Sequence, residues 1–109
     1  MTSAQPDAEP SPHGILDPGA IDSIAPGDDG VLELHIEHTS EWDGSDHLLL
    51  LTQEKLFNYL AYAADNTLTS WRVALDCTSS PDERTRALLQ KAGREMRKLG
   101  GALVVRYTT

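Results

Sequence analysis

Leu32, Leu34 and Ile36 alternate with Glu33, His35 and Glu37. Alternation of period two puts the aliphatics on one face of a strand and the polar residues on the other. It predicts a strand over 32–37 with one wet face, as in antiparallel pairing or a two-layer fold. The cluster Pro26-Gly27-Asp28-Asp29-Gly30 just before it is a dense turn signal. The weaker run at 21–25 would then be a hairpin partner. Leu49, Leu56, Leu60 and Ala63 recur at helical spacing and predict a helix over 47–64, capped by Ser45 or Asp46 and ended at Asp65-Asn66. The alternative is a short strand at 47–51 with Thr52 capping a shorter helix; leucine is not β-branched, which favours the long helix. Val73, Leu75 and Cys77 alternate in a buried strand over 71–77. Ser80-Pro81-Asp82-Glu83 has the form of a capping box with proline at the first helical position. The helix it opens runs to Leu99, with Leu88, Ala92, Met96 and Leu99 as its apolar stripe. Arg94, Arg97 and Lys98 fill the last turns, where cations are favoured. Gly100-Gly101 stops it, and 102–107 is the last strand.

The order is ββαβαβ, with strand–helix–strand crossovers expected to be right-handed. The predicted fold class is α/β (α+β), a two-layer sandwich with a four-stranded mixed sheet and two helices on one face. Residues 1–14 contain Pro6, Pro10 and Pro12 and no large apolar side chain except Met1. Such a segment cannot bury enough surface to offset its ordering entropy, so a disordered tail is expected at 1–14 and a single domain at 15–109.

Charge changes the picture more than composition does. The 109 residues carry a net charge of −8, yet no Lys or Arg precedes Lys55. Residues 1–54 hold twelve acids and no base; residues 55–109 hold nine bases and five acids. An acidic whole repels phosphate backbones, so nucleic-acid binding is not expected. The longest apolar run, at 48–51, is far short of the roughly 20 residues of a membrane span, and no basic and apolar leader pattern opens the chain. The lone Cys77 excludes an internal disulfide framework and fits a reducing compartment. These features point to a cytoplasmic domain.

Chemistry is sparse. Cys77 ends a strand a few residues before a helix N-terminus, a setting that can lower a thiol pKa. A cysteine-phosphatase loop needs Arg six positions after the Cys; Glu83 stands there, Arg84 comes one residue late, and the loop lacks glycine. A small core residue is the better reading. His35, His38 and His47 lie near Glu37, Asp43 and Asp46, but their spacing matches no ligand motif and in a strand His35 and His38 face opposite ways. No metal or other cofactor is expected. Asp76 ends a central strand, where α/β folds often place ligands, but lacks a paired acid nearby. Trp42 and Asp43 sit together in a polar loop, where the indole is either a plug over the core or an anchor for a partner. The basic face of the second helix, with Arg94 and Arg97, is suited to an acidic surface, including the acidic half of a second copy.

Three stretches carry a resemblance: Trp42-Asp43 followed by His47-Leu48-Leu49-Leu50-Leu51; Gln53-Glu54-Lys55-Leu56 with Tyr59-Leu60; and Leu75-Asp76-Cys77 with Pro81-Asp82-Glu83. The chain resembles a family of small bacterial proteins of unknown function (domain of unknown function 6572), with Thr52 standing as an extra residue. The resemblance spans about residues 20–107 and implies the fold without an activity. A weaker similarity, to the sulfate-transporter and anti-sigma-antagonist domain, rests on Leu75-Asp76, the helix after it, and Gly100-Gly101 before a Val-rich strand. That family's Asp-Ser-Ser-Gly phosphorylation motif is absent, and Ser79-Ser80-Pro81 replaces it. The resulting expectation is a non-enzymatic protein-interaction module, with homodimerisation as one form of the contact and Trp42, Asp43, Arg94 and Arg97 as contact residues. One alternative is a phospho-regulated switch at Ser79 or Ser80. Another is a small enzyme using Cys77 or Asp76.

Overall fold

The computed structural model describes residues 14–107. The elements are β1 (Ser23–Pro26), β2 (Leu32–His38), α1 (Asp46–Asp65), β3 (Trp71–Cys77), α2 (Glu83–Lys98) and β4 (Leu103–Tyr107). The sheet order is β1-β2-β3-β4; β1 is antiparallel to β2, while β2, β3 and β4 run parallel. This is the expected ββαβαβ order and four-stranded mixed sheet. The tail expectation for residues 1–13 lies outside the described residues. Gly14 already belongs to the fold: it is buried and donates its N–H to Asp22 Oδ2.

Alternation builds the layers. Leu34, Val73 and Leu103 are in register, as are Ile36, Leu75 and Val105. This face meets Leu56, Tyr59 and Ala63 of α1 and Leu89, Ala92 and Met96 of α2 in one core. The opposite face carries Glu33, His35 and Glu37 beside Arg72, Ala74 and Asp76, and is uncovered by either helix.

The long α1 is borne out. Ser45 caps it, its side chain accepting from the Leu48 N–H at 3.1 Å. The helix runs through Thr52 without a break, and the buried Thr52 hydroxyl donates to Leu48 O. The buried face is rotated from the expected stripe: Leu48 is in and Leu49 half out, and Lys55 is wholly buried.

The capping box at Ser80 is corrected. The N-cap of α2 is Asp82, which accepts from the Thr85 N–H and the Thr85 hydroxyl. Starting the helix there puts Thr85, Leu89, Ala92 and Met96 on one buried line and leaves Leu88 half-buried and Leu99 exposed. A carboxylate offers two acceptor oxygens where Ser80 offers one hydroxyl, and both are used. At the other end Gly100 takes φ +85, its N–H bonds Arg97 O, and the Gly101 N–H bonds Met96 O. This is a Schellman closure, and it requires a residue free to adopt positive φ.

A polar cluster holds the N-terminal segment on the domain. Lys55 Nζ donates to Asp17 O, Ala20 O and Asp22 Oδ1 at 3.0, 2.6 and 2.6 Å. Asp22 Oδ2 accepts from the Gly14 and Glu37 amides. The Tyr59 hydroxyl accepts from the Asp22 N–H and donates to His35 O. All three Lys55 donors are satisfied, which is what makes a buried ammonium tolerable.

Candidate functional site

Three places hold the residues that the sequence singles out. The first is the uncovered sheet face. Arg72 bridges Asp29 and Glu33, and Arg106 makes a paired contact with Asp76 at 2.8 and 3.2 Å. His35 lies between them, Nε2 3.2 Å from Glu33 and Nδ1 3.6 Å from Asp76. The Arg72 hydrogen bonds hold Asp29 down at about 2 and Glu33 below its ordinary range. Burial acts to raise the Asp76 pKa, but the Arg106 bonds outweigh it and hold the carboxyl low. Asp76 is therefore an ionised partner of Arg106, and Asp29, Glu33 and Asp76 are each paired with an arginine.

The second place is the end of the sheet where β2 and β3 stop. Cys77 is fully buried, and burial, then the Asp76 charge, push its thiol up. A raised pKa withholds the thiolate that nucleophilic chemistry needs. Trp42 is only 8% exposed; its ring lies 4.1 Å from that of His38, and its indole N–H donates to Ser79 O. The indole thus plugs the core, while its neighbour Asp43 is exposed and accepts from the Ser45 N–H. Ser79 is half-buried and Ser80 exposed. His35, His38 and His47 are kept apart, on the open face, in the core and on the surface at the start of α1. Among the described residues no group of three His, Cys, Asp or Glu side chains is placed to hold a metal ion.

The third place is the free side of β4. The bond from Val73 N to Ala102 O fixes the parallel register, Val73 opposite Leu103. In that register residues 102, 104 and 106 bond to β3, so Leu103, Val105 and Tyr107 turn their backbone N–H and C=O outward. Among the described residues nothing bonds to these outward groups. The side chains of the same three residues point to the helix side of the sheet. There Leu103 and Val105 form, with Leu89, Gln90 and Gly93 of α2, a groove of about 330 Å³ at the Arg94 and Arg97 end. It continues as about 250 Å³ past Pro81, Arg86 and Tyr107. Tyr107 is 57% exposed. Arg94 and Arg97 therefore stand beside an open strand edge, and no acidic side chain lines either part of the groove.

The structure brings Arg94 and Arg97 together and places Trp42 and Asp43 at a different site. Leu103, Val105 and Tyr107 were not singled out by sequence. Their edge position follows from the strand order β1-β2-β3-β4, which no pattern along one strand reports. A second exposed apolar feature, Leu50 and Phe57 on α1, lies away from this edge. Among the described residues no helix is long and apolar enough to cross a membrane.

No curated protein and no solved structure matches the chain. A family model does match, over residues 13–108, and its description is a family of unknown function (DUF6572). That span holds the whole sheet, both helices and the Lys55 cluster, and the chain belongs to this family.

Proposed function

We propose that this domain is a non-enzymatic protein-interaction module whose contact surface is the free edge of β4 together with the adjoining face of α2. One observation carries the reading: Leu103, Val105 and Tyr107 present free backbone groups and an apolar groove along the same line. An edge strand rich in β-branched residues, without proline, is a template for another strand. Leu103-Val104-Val105-Arg106-Tyr107 has that composition. The opposite edge, β1, is only four residues long and ends in Pro26, both features that blunt pairing.

The small-enzyme alternative fits less well, because Cys77 and Asp76 are both occupied by the fold. A phosphoswitch at Ser79 or Ser80 also fits less well: Asp82 already fills the α2 N-terminus and would repel a phosphate. The net charge of −8 favours protein over nucleic acid as partner, and the lone thiol favours the cytoplasm. The reading is tested by placing a photo-crosslinking phenylalanine at Tyr107 and, separately, at the exposed Glu54 of α1, in cells. Discrete protein adducts are expected from position 107 and none from position 54. Adducts from both positions alike, or none from 107, would sink it.

A further inference from the structure

The free edge has a charge preference as well as a shape. Arg86, Arg94 and Arg97 stand along the groove, no acid faces them, and neither Arg94 nor Arg97 makes an ion pair among the described residues. This is one of the few positive regions on a chain whose first half carries twelve acids and no base. We propose that β4 takes an acidic, extended segment of a partner protein as a fifth strand, with its carboxylates met by Arg94 and Arg97. The inference rests on the edge-contact reading above and adds the partner's chemistry to it.

Main-chain bonds to Leu103, Val105 and Tyr107 supply affinity without regard to sequence. Selectivity comes from the alternate side chains that turn toward α2. A glutamate there lays its methylenes over Leu89 and Val105 and reaches the arginines with its carboxylate. Two other occupants fit less well. A second copy pairing β4 with β4 about a two-fold axis would bring the two sets of arginines toward each other, adding like charges. The chain's own acidic segment, residues 1–13, carries Pro6, Pro10 and Pro12, which cannot donate to a strand ladder.

The test begins by selecting peptides from a random dodecapeptide library on the purified full-length chain at low salt. Selected peptides are then synthesised and titrated into the isotope-labelled protein. Enriched peptides are expected to alternate acids with β-branched or aromatic residues and to shift the Leu103, Val105 and Tyr107 amides. Arg94→Glu with Arg97→Glu should weaken binding at least tenfold, whereas Lys91→Glu, on the far side of α2, should change it less than twofold. Replacing the peptide's acids with lysine should also lose at least tenfold. Enrichment of non-acidic peptides that still shift those amides would overturn the acidic partner and leave the edge contact standing. No enrichment, or shifts confined elsewhere, would overturn both. A concentration-dependent dimer with these amides protected would assign the edge to a second copy. Protection in the monomer that vanishes on removal of residues 1–13 would assign it to the chain itself.

Discussion

Lys55 Nζ and Asp22 Oδ1 stand 2.6 Å apart, and the lysine side chain is wholly inaccessible to solvent. The pair joins the middle of α1 to the segment that leads into β1. It explains the lysine of the Gln53-Glu54-Lys55-Leu56 stretch, which by pattern alone reads as a surface residue of an amphipathic helix.

Removing one partner of such a pair takes a buried charge away from the other. Lys55→Met should destabilise the domain by about 3–5 kcal/mol, because a buried carboxylate loses the ammonium 2.6 Å away and two backbone carbonyls lose their donor. Adding Asp22→Asn should recover part of that loss, since the amide oxygen can still accept from the Gly14 and Glu37 amides. Urea unfolding of the two single variants and the double variant measures the coupling. Strict additivity would show that the pair is not the interaction that matters.

The cap of α2 gives a sharper contrast. Asp82→Ala should cost about 1 kcal/mol, whereas Ser80→Ala should fall within about 0.5 kcal/mol of the parent. Thermal unfolding of both variants decides it. A larger loss at Ser80 would restore the cap to the serine.

Cys77 should react slowly. Burial and the Asp76 charge both push its thiol up, so native protein at neutral pH should resist iodoacetamide and become reactive only when unfolded. Rapid native alkylation, followed by mass spectrometry, would contradict a core role.

Stability should fall with acid in two stages. Burial lowers the His38 pKa from 6.5, so below that value the unfolded chain binds a proton the fold refuses. Stability present above pH 6.5 is therefore progressively lost as the pH drops. The second stage comes from Asp29, Glu33, Asp76 and Asp82, whose pKa values are all lowered in the fold. Their contribution is present above about pH 4 and is lost as the pH falls through the folded values, down to about 2 for Asp29. His38→Phe should flatten the melting temperature between pH 7 and 5 and leave the lower limb in place. An unchanged upper limb would exclude His38 as its source.

The elements were legible because their patterns are strong: the alternation at 32–37 and 71–77 survives as β2 and β3, and both crossovers fall where the helices were expected. What stayed hidden depends on contacts far apart in the chain. Lys55 meets residues 33 to 38 positions earlier, and no local period reports that. Ser80 and Asp82 both satisfy the N-cap rule, and only the packing of Thr85 and Leu89 chooses between them. Arg94 and Arg97 were legible as a basic face. The free edge beside them follows from strand order, which alternation along one strand cannot give.

The three Lys55 bonds also have a dynamic consequence. Residues 14–22 have no regular secondary structure before β1, and such a segment would ordinarily open and close independently of the rest. Here opening would strip the Lys55 ammonium of all three of its acceptors at once, so the segment is tied to the same cooperative unit as α1 and β2. The amide hydrogens of Gly14, Asp22 and Glu37, all held by this cluster, should exchange with solvent at the rate of global unfolding, as slowly as those at the centre of β3.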